Sequence, residues 1–223
     1  MANVQIALDL VKNGYRVGLG SGHAAWRFIE LLGKKLSDSF QIQGVPASEA
    51  SAKLAREVGI PLIPLSEDSI LDITVDGADE VDPNLDLIKG YGHALVREKV
   101  IAACCKQFIV LVGPENVEAK LVPQLGTRGK LPVEVIPFAV GFCRKEIIRL
   151  GLHPQLLMDG AKPFVSDNGN YILECETKPI ERPRELEEAL KKIPGIVGSG
   201  LFLNMADKVI IQRGDQIEVK TRK

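Results

Sequence analysis

The chain has 223 residues, 45% of them apolar, and its 28 Lys and Arg against 29 Asp and Glu leave a net charge of −1. That length carries one substantial domain, or one with a smaller companion. The balanced charge excludes the clustered basic face that phosphate backbones require, so nucleic acid is not an expected partner.

The N-terminus, Met1-Ala2-Asn3-Val4-Gln5, has no basic region followed by an apolar core, so no secretory signal is read. Residues 4–11 then form a short amphipathic helix and 15–19 a first strand. The turn Gly20-Ser21-Gly22 leads into a helix over 24–36. A strand, a glycine turn and a helix N-terminus make an anion site, because unpaired N–H groups and the helix dipole face one point. A dinucleotide is not the expected ligand. The Gly-x-Gly-x-x-Gly pattern is not completed beyond Gly22-His23, and the next strand, 41–45, ends without an acidic residue for a ribose.

Ser48 is expected to N-cap a helix running to residue 58, and the serines of Pro46-Ala47-Ser48-Glu49-Ala50-Ser51 are read as structural. Residues 60–64 read as a short strand. Residues 70–75 read as a buried strand rich in β-branched side chains, ending in Asp76-Gly77-Ala78-Asp79. Lys89-Gly90-Tyr91-Gly92 opens onto helical spacing over 94–103 that carries Glu98, and 107–113 is a further apolar strand. Alternating strands and helices predict a largely parallel sheet. Two carboxylates, a lysine and open backbone at a strand's carboxyl end are what a small polar ligand needs there.

From residue 114 the texture changes. Leu125-Gly126-Thr127-Arg128-Gly129-Lys130 is a polar loop, 132–137 a strand and 140–150 a helix. Short strands at 163–165 and 171–176 flank the turn Asp167-Asn168-Gly169-Asn170. An exposed helix over 184–193 sets Glu187 and Lys191 at i,i+4. This β-α-β-β-α-β order predicts a ferredoxin-like α+β module. Residues 201–206 and 209–212 are expected to return the chain to the first sheet. Cys104, Cys105, Cys143 and Cys175 form no Cys-x-x-Cys pair and read as free thiols of a reducing cytoplasm. His23, His93 and His153 have no metal-ligand spacing, so no metal is expected. No apolar run approaches the ~20 residues that cross a bilayer, so no membrane is expected either.

Ordered motifs along nearly the whole chain resemble the type A ribose-5-phosphate isomerase family. They are Gly18-Leu19-Gly20-Ser21-Gly22, Pro46-Ala47-Ser48-Glu49-Ala50, Asp76-Gly77-Ala78-Asp79-Glu80-Val81-Asp82, Lys89-Gly90, Arg97-Glu98-Lys99, Leu131-Pro132-Val133-Glu134-Val135, Asp167-Asn168-Gly169-Asn170 and Pro194-Gly195-Ile196-Val197. The resemblance implies a cofactor-free aldose–ketose isomerase of the non-oxidative pentose phosphate pathway, interconverting D-ribose 5-phosphate and D-ribulose 5-phosphate. It also implies a homo-oligomer, dimer or tetramer. The expected fold class is α/β: a Rossmann-like, mostly parallel sheet domain (1–129 plus 204–223) and a smaller ferredoxin-like α+β domain (130–203).

Moving a carbonyl between C1 and C2 requires a proton taken from one carbon and returned to its neighbour, and one enclosed carboxylate can do both through an enediol. The resemblance places Glu98 in that role; read alone, Arg97-Glu98-Lys99 is a solvated charge run. Asp76 and Asp79 suit proton exchange with the sugar oxygens and ring opening, although Asp-Gly is also a common turn former. Lys89 suits charge neutralisation or phosphate binding.

Expected substrate contacts are Ser21, Gly22, His23 and Ala24 of the first turn, Gly77 and Ala78, and Gly90, Tyr91 and Gly92 of the second. The family usually has Gly-Thr-Gly-Ser-Thr at the first turn, so two hydroxyls are absent here. His23, His93 or both then stand in as phosphate donors, or else His93 caps its helix and His23 faces solvent. In the loop before residue 131, Lys130 and then Arg128 are the candidates for a substrate lysine. A non-catalytic sugar-phosphate sensor of the same fold would need no base. An acyl-CoA transferase of related fold would use a glutamate nucleophile.

Overall fold

The computed structural model describes residues 2–67, 70–115 and 117–222. It divides into two compact units: Met1–Ala78, Arg97–Lys120 and Asn204–Lys223 form the first, Asp79–Val96 and Leu121–Leu203 the second. The division expected from sequence differs in assigning residues 79–96 and 121–129 to the first.

The first unit is built on a six-stranded sheet in the order Gln43–Pro46, Arg16–Leu19, Ile73–Gly77, Phe108–Val112, Lys208–Arg213, Gln216–Thr221. The neighbours pair in parallel except for the final hairpin. Every residue of Phe108–Val112 is buried, as an apolar strand covered on both faces must be. Helix His23–Lys35 buries Ala25, Phe28, Ile29 and Leu32, a stripe with helical spacing that seals one face of the sheet.

Ser48 is extended and its hydroxyl accepts the Ser51 N–H at 3.0 Å, so it caps helix Glu49–Glu57 as expected. Ser48→Ala should lower stability by about 1–2 kcal/mol. In a chain of this length that is a fall in Tm of about 2–8 °C by differential scanning fluorimetry; an unchanged Tm would show the cap to be idle.

Residues 60–64 are not a strand. Leu62 alone bridges Gly44, because Pro61 and Pro64 remove the amide donors that a ladder needs. The strand expected over 70–75 is Ile73–Gly77, which draws Asp76 into its end.

The second unit holds a four-stranded antiparallel sheet in the order Ile196–Ser199, Lys130–Val135, Tyr171–Glu176, His153–Leu156. With helices Val140–Arg149 and Pro183–Lys191, the strands lie in space as fourth, first, third, second of a β-α-β-β-α-β unit, the ferredoxin-like arrangement. The second strand is His153–Leu156, not 163–165. Lys162–Pro163 instead closes a small hairpin on Met158–Asp159. Leu201–Phe202 does not return to the first sheet; it pairs with Leu87–Ile88, which pairs with Glu80–Val81. Glu187 and Lys191 do pair, at 3.1 Å. Glu187 is nevertheless buried, and the Ser199 hydroxyl that donates to it offsets part of the cost of burying the charge. Among the described residues no helix is long and apolar enough to cross a membrane.

Candidate functional site

In the first unit the chain runs from Arg16–Leu19 out to Gln43–Pro46, then crosses back to Ile73–Gly77 on the other side of its starting strand. The crossovers on either side of Arg16–Leu19 leave in opposite directions, and an open α/β sheet offers a ligand crevice at the carboxyl ends of such strands. Those ends carry Gly20-Ser21-Gly22 and Asp76-Gly77. Asp76 is fully buried, and its Oδ1 accepts the N–H of Ser21 at 3.1 Å and of Gly77 at 2.7 Å. A Cβ on Gly20 would lie 2.2 Å from Asp76 Cγ, so glycine at 20 is what lets the carboxylate tuck under the turn.

The serines read as structural brace this turn. Ser51 Oγ donates to Gly20 O at 2.6 Å, Ser21 Oγ lies 3.0 Å from Ser48 Oγ, and Trp26 Nε1 donates to Ser51 Oγ at 3.1 Å. Gly22 occupies the N-cap of helix His23–Lys35 at φ 93°, and no described side chain caps it. The first N–H groups of such a helix are open to an anion. Ala24 adjoins Gly77, whose Cβ would meet the Ala24 methyl at 3.5 Å. His23 is exposed, with its ring centroid 5.6 Å from that of Trp26.

Glu98 lies on helix Leu95–Ala103 and is only 5% exposed. Its neighbour Arg97 takes the surface role instead, donating to Glu49 at 2.8 Å. Thr74 Oγ1 donates to Ile101 O at 3.1 Å. That bond ties the helix three residues beyond Glu98 to the strand two residues before Asp76.

In the second unit Asp79 Oδ2 accepts the Tyr91 N–H at 2.9 Å, and Arg128 Nη1 donates to Asp79 O at 2.8 Å. Glu80, quoted in its motif but given no role by the sequence, is fully buried and accepts the N–H groups of Gly126 (2.6 Å) and Arg128 (2.8 Å). Burial raises its pKa against those two donors. Lys89 is 2% exposed; its N–H donates to Gly200 O at 2.9 Å and its Nζ stands 5.6 Å from the centre of the Phe202 ring. Gly90 has φ 102° and would set a Cβ 2.7 Å from that of Leu95.

Tyr91 donates its hydroxyl to Lys130 O at 3.1 Å, and its ring meets both the Arg128 guanidinium (5.1 Å) and Lys130 Nζ (4.8 Å). Burial, with the charge of Glu80 behind it, pushes the phenol far up, so it acts as a hydroxyl. Lys130 also pairs with Glu174, as does His93, whose Nε2 is 3.4 Å from Glu174 Oε1. Burial lowers the His93 pKa, and the hydrogen bond to Glu174 opposes that shift. Among the described residues no cluster of three or more His, Cys, Asp or Glu could hold a metal.

A family model, Ribose 5-phosphate isomerase A (phosphoriboisomerase A), matches residues 43–216. The chain belongs to that family. The ribose-5-phosphate isomerase A 1 of Oceanobacillus iheyensis is 45% identical over 215 residues, 96% of this chain and 94% of that one. The Gloeobacter violaceus ribose-5-phosphate isomerase A is 44% identical, over 96% and 92%. Among solved structures, ribose 5-phosphate isomerase A of Methanocaldococcus jannaschii aligns with a TM-score of 0.91 at 34% identity, covering 98% and 96%. A D-ribose-5-phosphate isomerase in complex with phospho-erythronic acid aligns with a TM-score of 0.91 at 37% identity, covering 99% and 96%. The span matched by the ribose 5-phosphate isomerase A model contains Asp76, Asp79, Lys89 and Glu98.

Proposed function

We propose that this chain interconverts D-ribose 5-phosphate and D-ribulose 5-phosphate through an enediol, with Glu98 as the proton-shuttling base. Glu98 takes the proton from C2 of the open-chain aldose and returns it to C1, leaving the ketose. The proton on O2 moves to O1 as the enediol forms and collapses, and Asp76 and Asp79 serve that exchange and the opening of the furanose ring. Lys89 offsets charge developing on an oxygen or holds the phosphate. The observation that carries this reading is the burial of Glu98, at 5% exposure, beside an Arg97 that pairs with Glu49 instead. A sugar-phosphate sensor has no use for a buried base. The glycine turns contribute N–H groups and room for backbone approach, and Lys130 (with Arg128 second) reaches the phosphate.

The chemistry needs neither metal nor coenzyme. Ribose 5-phosphate mixed with the enzyme should yield ribulose 5-phosphate, followed by the ketose absorbance, with kcat unchanged after dialysis against EDTA. No ketose formation would leave the sensor reading standing, and loss on chelation would refute the metal-free mechanism. Four free cysteines support a reducing cytoplasm. Phe138, 99% exposed, and Phe142, 49% exposed, support a homo-oligomer, dimer or tetramer, since such apolar surface is ordinarily covered.

A further inference from the structure

Three residues far apart in sequence meet in the second unit at one carboxylate oxygen. Lys130 Nζ pairs with Glu174 Oε1, and His93 Nε2 stands 3.4 Å from the same oxygen. The pairing of Lys130–Val135 with Tyr171–Glu176 sets Pro132 opposite Glu174 and Lys130 opposite Glu176, so Lys130 and Glu174 are diagonal neighbours, within reach of long side chains. His93 arrives from the glycine loop, held at φ 66° with its N–H on Gly90 O at 2.9 Å and its ring 4.9 Å from Phe164. Lys130 is thus anchored twice: its carbonyl by the Tyr91 hydroxyl, its ammonium by Glu174.

We propose that Glu174 is a resident counter-ion which the substrate's phosphate displaces from Lys130, and that the carboxylate, then left to His93 alone, draws a proton onto the imidazole. This rests on Lys130 being a phosphate ligand. Glu174 is then a specificity-determining residue. A phosphate dianion outcompetes one carboxylate for the ammonium, whereas an uncharged sugar leaves the Lys130–Glu174 pair intact. The covalent bookkeeping is one proton moved from solvent to His93 Nδ1, with no bond formed or broken in the sugar.

The charged groups that reach His93 are Glu174, Lys130 and Asp79. In the free enzyme burial lowers its pKa first, Lys130 lowers it further, and the two carboxylates oppose them. Drawing the Lys130 charge onto phosphate and leaving Glu174 to the imidazole both act upward. Proton uptake on binding is therefore expected at and just below the ordinary imidazole pKa of about 6.5, and binding should strengthen as pH falls into that window.

The test is calorimetric titration of the full-length protein with phospho-erythronic acid in two buffers of different ionisation heat. The wild type should take up more protons per chain than His93→Gln, the difference approaching one. Glu174→Gln, checked for an unchanged Tm, should lose the same uptake. It should also lower the KM for ribose 5-phosphate about two- to fivefold, the span of a partly exposed ion pair, with a smaller change in kcat. Equal uptake by wild type and His93→Gln, or a KM unchanged or raised in Glu174→Gln, overturns the exchange. Lys130→Ala separates the two readings. If it binds phospho-erythronic acid as tightly as wild type, Lys130 is no phosphate ligand and the exchange falls with it. If it binds weakly while His93→Gln retains full uptake, the exchange alone is wrong.

Discussion

Glu98→Gln is expected to cut kcat for ribose 5-phosphate at least ~10²-fold while changing KM little, since a positioned base contributes on the order of 10²–10⁴. Glutamine keeps the length and shape of the side chain and the packing of a residue only 5% exposed, but its amide accepts no proton from carbon. The helix is fixed independently of residue 98: Thr74 holds Ile101 O at 3.1 Å, and Leu95 and Ile101 are buried on the same element. The fold should therefore persist, with Tm within a few degrees of wild type and phospho-erythronic acid still bound. That combination separates a lost base from a lost fold. Glu98→Asp tests position as well as basicity. It keeps the carboxylate but withdraws it by one methylene, and a displacement of about 1 Å costs ~10²-fold in a reaction that depends on near-attack geometry. A glutamine variant with more than a tenth of wild-type kcat would remove Glu98 from the chemistry.

The parallel sheet was legible because its strands announce themselves. Residues 107–113 contain no polar side chain after Gln107, and Gly20-Ser21-Gly22 sits between a strand and a periodic helix. Proline defeated the pattern twice. It left 60–64 looking apolar while stripping its donors, and it hid His153–Leu156, whose Pro154 sits on an edge strand, where a missing amide donor costs little. Two-residue strands such as Glu80–Val81 and Leu87–Ile88 carry no period at all.

The site divides in the same way. Asp76, Asp79, Lys89 and Glu98 fall in one short stretch and could be named by their motif. The charge run around Glu98 said surface, and only packing reveals that its middle member is buried. Glu174 could not be found: strand register, not spacing, brings it to Lys130. The Asp167-Asn168-Gly169-Asn170 turn was visible as a turn, but its work was not. Ser166, Asn168 and Asn170 all donate to Glu134 Oε1, at 2.9, 3.0 and 2.8 Å, and so tie the loop to the neighbouring strand.

Gly20→Ala is expected to damage both fold and catalysis, and the second effect is the informative one. The added methyl would sit 2.2 Å from Asp76 Cγ and 2.3 Å from its Oδ1. Neither side can yield cheaply. Gly20 N donates to Val75 O at 3.0 Å, its carbonyl takes the Ser51 hydroxyl at 2.6 Å, and Asp76 is held by two backbone N–H groups in a fully buried position. Overpacking of this kind costs about 1–3 kcal/mol, a fall in Tm of about 2–12 °C for a chain of this size. Relief requires Asp76 to swing away from the turn, breaking its bonds to Ser21 and Gly77 and moving a carboxylate assigned to the sugar oxygens. kcat/KM should therefore fall ~10²-fold in protein that remains folded at the assay temperature.

Gly33→Ala is the matched control. Its Cβ would lie 2.6 Å from that of Val58, a comparable clash at the far end of the same helix, ~15 Å along its axis from the glycine turn. Gly33→Ala should lower Tm and leave kcat/KM within about threefold of wild type, because nothing it displaces touches Asp76. Equal losses of activity in the two variants would mean that Gly20 serves stability alone, and that the close approach of Asp76 to the turn has no part in the reaction.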